Sequence, residues 1–313
     1  MKTKYIGIYF LIIISVLVAE NGKISGQTFF EYSMADSKSA FEINRVYFTY
    51  NNKVSDNIGY TFQLDVGREK IPISVVDSTF EVDKTRSTQL YSYLKNAKLS
   101  WKTGLGTMTF GLQGMNMFSV QEKNWGYRFI QKSPMDIYGY SSSADLGIGY
   151  SNTSGPLYSS ILVTNGAGYK KPESDEYKKV SLNVVYGDMK LGKSNGYNAG
   201  VALSHEPTDT DPTQVIGLFG GVQLNALCVG GEFAKKDDGT DITTLTSLYG
   251  NFAMGTSLTL IGRLDVYDKD QYIIAGVNYL PESALSIAPT IRYTVPEKGD
   301  ASTIYILNFQ FKI

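Results

Sequence analysis

The side chains best placed to do chemistry in this chain are charged residues set among aromatic ones between positions 116 and 143. They are Glu122, Lys123, Arg128, Lys132 and Asp136, interleaved with Trp125, Tyr127, Phe129 and Tyr138. A second set, Arg45, Asp65, Lys98, Lys102, Arg263, Asp265 and Arg292, falls on the polar parity of alternating segments elsewhere. Guanidinium, ammonium and carboxylate groups facing one shared space act by their field, drawing in one sign of charge and repelling the other. Bond-making chemistry has less to work with. One histidine, His205, and one cysteine, Cys228, leave little scope for imidazole or thiol catalysis. Ser204 and Glu206 flank His205 in sequence, and adjacent side chains on a strand point to opposite faces. The acidic pieces at 206–211 and 235–241 read as solvated loop charge, the alternative being a Ca²⁺ or lipopolysaccharide bridge. No enzyme activity, metal or cofactor is expected.

The elements that must carry these residues are strands. The chain has 313 residues, 42% hydrophobic and 19% charged, with 23 Tyr, 31 Gly and 9 Pro. That composition suits many strands joined by tight turns. A net charge of −1 gives no basic footprint for a nucleic acid. From Gln27 onward the hydrophobic period is two. Ile58, Tyr60, Phe62, Leu64 and Val66 share one face, and Gly59, Thr61, Gln63, Asp65 and Gly67 the other. The same alternation recurs at 107–113, 179–187, 257–267 and 285–295. About sixteen such segments can be drawn, an even number, as a single-chain bacterial barrel requires. Arg45 holds the polar parity only if its strand changes phase around Asn44, which predicts a bulge there.

The amino terminus carries Lys2 and Lys4 ahead of an apolar run, Tyr5–Ala19, too short to span a bilayer comfortably. Residues 1–26 are expected to be a signal peptide and residues 27–313 one barrel domain, with Ala19 and Gly26 as the two options for the cut. The connections alternate between short turns and longer segments, and the longest, at 69–87, 116–143 and 166–178, all fall on one side.

Two architectures accommodate alternating strands: a soluble sandwich with its apolar face inward, or a membrane barrel with that face outward. The segments run near the length that crosses a tilted bilayer path. Their second face is Gly, Ser, Thr, Asn and Gln with single charges, which suits a hydrated lumen rather than a charged protein surface. The expected fold is all-β: a transmembrane antiparallel barrel of about 16 strands with a long in-folded loop. Tyr47, Tyr60, Tyr91, Tyr93, Tyr186, Tyr197, Tyr249, Tyr267, Tyr279 and Tyr293 near strand ends are read as interface girdles. The last strand alternates Tyr305, Leu307, Phe309, Phe311 and Ile313 with Asn308, Gln310 and Lys312. Its aromatic positions resemble the terminal signal read by the barrel-assembly machinery, although Ile313 stands where Phe or Trp is usual.

Three stretches resemble the bacterial outer-membrane porin family that includes the phosphate-selective porins O and P. They are "FEINRVYFTYNNKVSDNIGYTFQLDVGR" (41–68), "LKNAKLSWKTGLGTMTFGLQ" (94–113) and "QEKNWGYRFIQKSPMDIYGYSSSADLGIGY" (121–150). The likeness covers the first half well and the rest by strand pattern. It implies a sixteen-strand diffusion channel, commonly a homotrimer, with a long loop folded into its lumen. The dense basic ladder of the phosphate-selective members is not seen, so that selectivity is not carried over.

The sequence therefore leads to an outer-membrane porin for passive diffusion of small hydrophilic solutes or ions, narrowed by loop 116–143. That loop could instead be an external lid with its aromatics on the rim, and Arg263 with Asp265 could simply brace the wall. The competing classes are a plugged barrel used for binding or adhesion and a secreted β-protein that binds carbohydrate.

Overall fold

The computed structural model describes residues 22–35, 38–71, 86–192 and 195–313. Sixteen strands among them are β1 (Gly22–Ala35), β2 (Lys38–Lys53), β3 (Ile58–Ile71), β4 (Arg86–Lys102), β5 (Thr107–Gly114), β6 (Ala144–Ser154), β7 (Leu157–Thr164) and β8 (Lys179–Gly187), then β9 (Gly196–Glu206), β10 (Thr213–Leu224), β11 (Leu227–Asp237), β12 (Ile242–Met254), β13 (Leu258–Tyr267), β14 (Asp270–Glu282), β15 (Leu285–Val295) and β16 (Ser302–Lys312). Each pairs antiparallel with its neighbours in sequence, and β1 pairs with β16 to close the barrel. Closure leaves no edge strand, so each backbone ladder has a partner on both sides. Phe30 of β1 stacks on Phe309 of β16 at 4.4 Å between ring centroids.

The alternation sends the oily side chains outward. Leu146, Ile148, Ile161, Leu218, Leu248, Phe252, Leu260, Ile291 and Tyr305 are all exposed on the outer wall. Asn183, Ser181, Ser247, Thr290, Asn308 and Gln310 are buried within the barrel. A soluble protein would have the reverse arrangement, and so large an apolar exterior marks a surface meant to be covered.

Short turns such as 103–106, 155–156 and 225–226 gather at the end where β1 starts and β16 finishes, and connections 115–143 and 165–178 lie at the other. Part of the expected loop 69–87 falls at 72–85, outside the described residues, and so does most of the leader. Gly22–Gly26, counted with the leader in the sequence, extend β1 and pair with Phe48–Asn52 of β2.

Of the register shifts that break the alternation, two matter for the lumen. Between Phe29↔Arg45 and Phe30↔Ile43, Asn44 is the extra residue, which is the phase change expected there. Between Gln63↔Asn96 and Leu64↔Leu94, Lys95 is extra on β4. A bulge re-aims the side chains beyond it. Past Lys95 the outward parity passes to Leu94 and Leu90, so Tyr93 and Tyr91 join the lumen face opposite Asp65 and Gly67. The girdle expectation therefore needs correction. Tyr60, Tyr186, Tyr197, Tyr279 and Tyr293 are exposed outside as expected. Tyr47 and Tyr249 are buried inside, Tyr93 meets Tyr169, and Tyr267 stacks on Tyr138. An aromatic on the lumen parity has a loop to pack against, which strand position alone does not reveal.

Candidate functional site

Loop 115–143 enters the barrel and lies against one side of it. It carries two short helices, α1 (Ser119–Trp125) and α2 (Pro134–Ile137), the first ended by Gly126 at φ 76°. The sequence predicts this by mixing aromatics with charges: the aromatics seek a wall and the charges seek water. Met117, Phe118, Val120, Met135 and Tyr140 pack on Val185, Ala202, Val215, Phe219, Ala234 and Leu245, the inner faces of β8–β12. Trp125, Phe129 and Ile130 pack with Phe29, Tyr47, Tyr249, Ile261, Ile274 and Ala288. The reading of an external lid is thereby corrected, since Trp125 and Met135 are 1% and 0% exposed inside the barrel.

Polar anchors fix the loop in place. Asn124 exchanges side-chain hydrogen bonds of 2.8 and 2.9 Å with Asn198. The Arg263 guanidinium is held by Asp265, with Nε 2.8 Å from Oδ1, and donates from Nη1 to the Lys132 carbonyl at 2.6 Å. Arg292 donates to the Ile130 carbonyl and, at 3.1 Å, to Asn308 Oδ1. Ser247 donates to Asp265 at 2.6 Å. Arg263 and Asp265 do pair, as their same-face spacing suggests, but at 3% and 0% exposure they sit beneath the loop and face no open water. Their geometry is that of a brace.

Among the described residues, the other side of the lumen stays open. Asp65 on β3, fully buried, is the hub of that wall: Arg45 of β2 approaches it at 3.3 Å and Lys95 of β4 at 3.6 Å. Gly67 gives Arg45 its room, because a Cβ there would stand 2.5 Å from the guanidinium. The Tyr169 hydroxyl, from connection 165–178, donates to Asp65 Oδ2 at 2.8 Å. Burial and the neighbouring Asp65 carboxylate push the Tyr169 phenol well above its ordinary value, so it remains a donor. On the facing loop, Arg128 pairs with Glu122 at 3.1 Å and Asp136 at 3.3 Å, and Lys132 pairs with Asp136 at 3.2 Å. Burial opposes the Arg128 charge, but Tyr47, Glu122 and Asp136 outweigh it and hold the guanidinium protonated.

Between loop and wall runs a string of three cavities. The innermost, about 390 Å³, is lined by Lys95, Glu122, Arg128 and Lys312 together with Gln27, Thr49, Gln63 and Gln310. The next, about 230 Å³, meets Glu31, Arg45, Arg128, Lys132 and Arg292. The outermost, about 310 Å³, meets Arg45, Arg128, Lys132, Asp136, Lys170 and Lys171. Successive cavities share Arg128, so it faces the whole run. Among the described residues, eight cationic side chains line the string against three carboxylates, with Asp65 as a fourth behind the wall.

Of the residues singled out in sequence, Arg45, Glu122, Arg128, Lys132, Asp136 and Arg292 come together here, with Asp65 behind them. Lys102 instead lines a separate cavity of about 610 Å³ at the inner turns, beside Asn57 and Gly59. Lys98 sits on the lumen face opposite Thr61, a few residues inward of the string. Lys123 is exposed and lines none of the three cavities. His205 points outward, exposed, away from Ser204 inside.

Six residues at the site escaped the sequence reading: Glu31, Lys95, Tyr169, Lys170, Lys171 and Lys312. Strict parity turns Lys95 toward lipid, at a cost of about 2–4 kcal/mol near the midplane. Leu90 and Leu94 on even positions against Leu99 and Trp101 on odd ones were the signal that a slip must lie between. Tyr169 and Lys170 lie in a loop, where no period marks a facing side.

No protein-family model matches the chain, and no curated protein matches it in sequence. Solved structures do match in fold. Salmonella typhi OmpF, in complex with daunomycin, aligns at TM-score 0.67 and 11% identity over 94% of this chain and 98% of its own. A trimer form of OmpT, an outer membrane protein of Vibrio cholerae, gives 0.65 and 12% over 93% and 99%. An anion-selective porin from Comamonas acidovorans gives 0.60 and 10% over 93% and 99%. At these identities the likeness is one of fold, and the fold is that of bacterial outer-membrane porins.

Proposed function

We propose that this chain is a porin of the bacterial outer membrane, a water-filled channel for passive diffusion of small hydrophilic solutes or ions, with a preference for anions. Its narrowest part lies between loop 116–143 and the wall of β1–β4. The observation that carries this reading is the string of cavities with its excess of cations, since fixed charge at a constriction decides which ions enter. The resemblance to the porins O and P supports the channel class, and the proposal stops at anions in general. The channel performs no bond chemistry.

Assembly as a homotrimer accords with the trimer form of the Vibrio cholerae neighbour. Insertion by the barrel-assembly machinery would use β16, whose outward Phe309 and Phe311 meet Phe30 at the closing seam. The leader is removed on export. The pairing of Gly22–Gly26 with β2 favours a cut after Ala19 over one after Gly26, because the later cut would strip those ladder bonds from β1.

Purified protein added to a planar bilayer tests the channel. Stepwise insertion of ohmic conductance is expected. A correctly folded, heat-modifiable barrel that inserts without conducting would make this a plugged barrel of the binding or adhesion class.

A further inference from the structure

Connection 165–178 has two legs with different surroundings. Its outer leg lies in solvent, where Tyr177 reaches Asp209 at 3.0 Å and Lys178 pairs with Glu173 at 3.5 Å. Its inner leg turns back into the barrel. Asn165 donates to the Leu146 carbonyl at 3.0 Å, Gly166 to Asp145 Oδ2 at 2.6 Å, and Tyr169 to the Ala144 carbonyl at 3.1 Å. These bonds lay the leg along the start of β6, at the outer end of that strand. Gly166 and Gly168 adopt φ of 101° and 78°, a left-handed backbone that side-chain-bearing residues resist, and so make the inward turn.

The leg ends in an aromatic and cationic cluster on the open side of the lumen. The Tyr169 ring meets Tyr93 edge-on at 6.3 Å, with Lys95 5.6 Å and Lys170 5.8 Å from its centroid. Lys170 also lies 5.0 Å from the Tyr93 ring. The Tyr169 hydroxyl then closes onto Asp65, the carboxylate that Arg45 and Lys95 already share. The outermost cavity of the string is bounded on one side by Arg128, Lys132 and Asp136 and on the other by this leg.

Resting on the porin reading, we infer that Tyr169 and Lys170 form a second constriction element, latched to the wall at Asp65, which determines the size and charge of the anions that pass. The in-folded loop 116–143 supplies one lip of the passage, and the inner leg of connection 165–178 supplies the other. The Tyr169 ring sets the width. Lys170, beside it, adds positive charge at the outer entrance. The hydroxyl on Asp65 keeps both in place and leaves Arg45 and Lys95 held back against the wall.

Bi-ionic reversal potentials in planar bilayers, with chloride on one side and gluconate on the other, read the size filter directly. Tyr169→Ala is expected to raise the permeability of gluconate relative to chloride. Tyr169→Phe keeps the ring and loses the hydroxyl. It should produce a second, larger conductance level, populated about tenfold more than in the parent, as the loss of a hydrogen bond to a charged acceptor implies. Lys170→Gln should lower the anion-to-cation permeability ratio in a potassium chloride gradient. Variants with the parent's gluconate ratio and conductance levels would overturn the latch while leaving the porin intact. A folded parent that passes no current would overturn the porin reading, and the latch with it.

Discussion

Along β8–β12 the inner wall presents Val185, Ala202, Val215, Phe219, Ala234 and Leu245, and loop 115–143 is packed dry against them. Along β1–β4 the lumen face presents Arg45, Asp65 and, at the bulge, Lys95, and among the described residues the space before them stays open. Both sides are lumen faces of one barrel. The packed side spends its apolar residues on holding a loop where the opposite side needs it. The open side is then a charged slot of fixed width, with Arg128 and Lys132 facing Arg45 across it. What separates the halves is the composition of the lumen parity, and the loop reads that difference as a place to dock.

The contrast can be broken from the packed side first. Removing residues 120–140 takes away α1 but for Ser119, the whole of α2 and the facing charges, and the largest effect is expected there. Single-channel conductance should rise well above the parent's, in protein that still migrates as a heat-modifiable barrel. An unchanged conductance would mean the loop does not bound the passage.

Next comes the brace. Arg263→Met leaves Asp265 buried beside Ser247 without its cation, a change worth about 3–5 kcal/mol when one partner of a buried pair is lost. It also frees the Lys132 carbonyl. A lowered unfolding temperature and a noisier open channel are expected, and retention of both parent values would contradict the assignment of the pair to bracing. Met135→Ala, in the dry cluster, should cost about 2–5 kcal/mol by opening a cavity, read as a lower midpoint in heat-modifiable gel migration.

The smallest effect is expected at Lys102, which lies at the inner turns away from the string. Lys102→Gln should leave the permeability ratio close to the parent's. A shift as large as that of Arg128→Gln would move the selective region to the inner mouth.

How much of this the sequence carries follows from period. The wall is legible because each strand must put one parity in lipid, and segments 179–187 and 285–295 agree with β8 and β15 residue for residue. The bulge at Asn44 is legible because Arg45 cannot face hydrocarbon cheaply. The bulge at Lys95 needed the phases of Leu94 and Leu99 to be weighed together, and a reading of one window misses it. Loop 116–143 announces its inward course by length and by Trp125 and Phe129 among charges. Its anchors do not: which carbonyls Arg263 and Arg292 would seek depends on how far the loop enters, a matter of three-dimensional fit. Tyr169 and Lys170 lay beyond reach for a related reason, since an aperiodic segment gives no sign of which residue turns toward water.

The central claim is that the open side of the lumen carries a net positive slot through which solutes must pass. A reversal potential across a planar bilayer, measured under a potassium chloride gradient near neutral pH, tests it most directly. The sign should correspond to chloride permeating faster than potassium, with the preference weakened in Arg128→Gln. A potential of the opposite sign, with potassium favoured, would contradict the account.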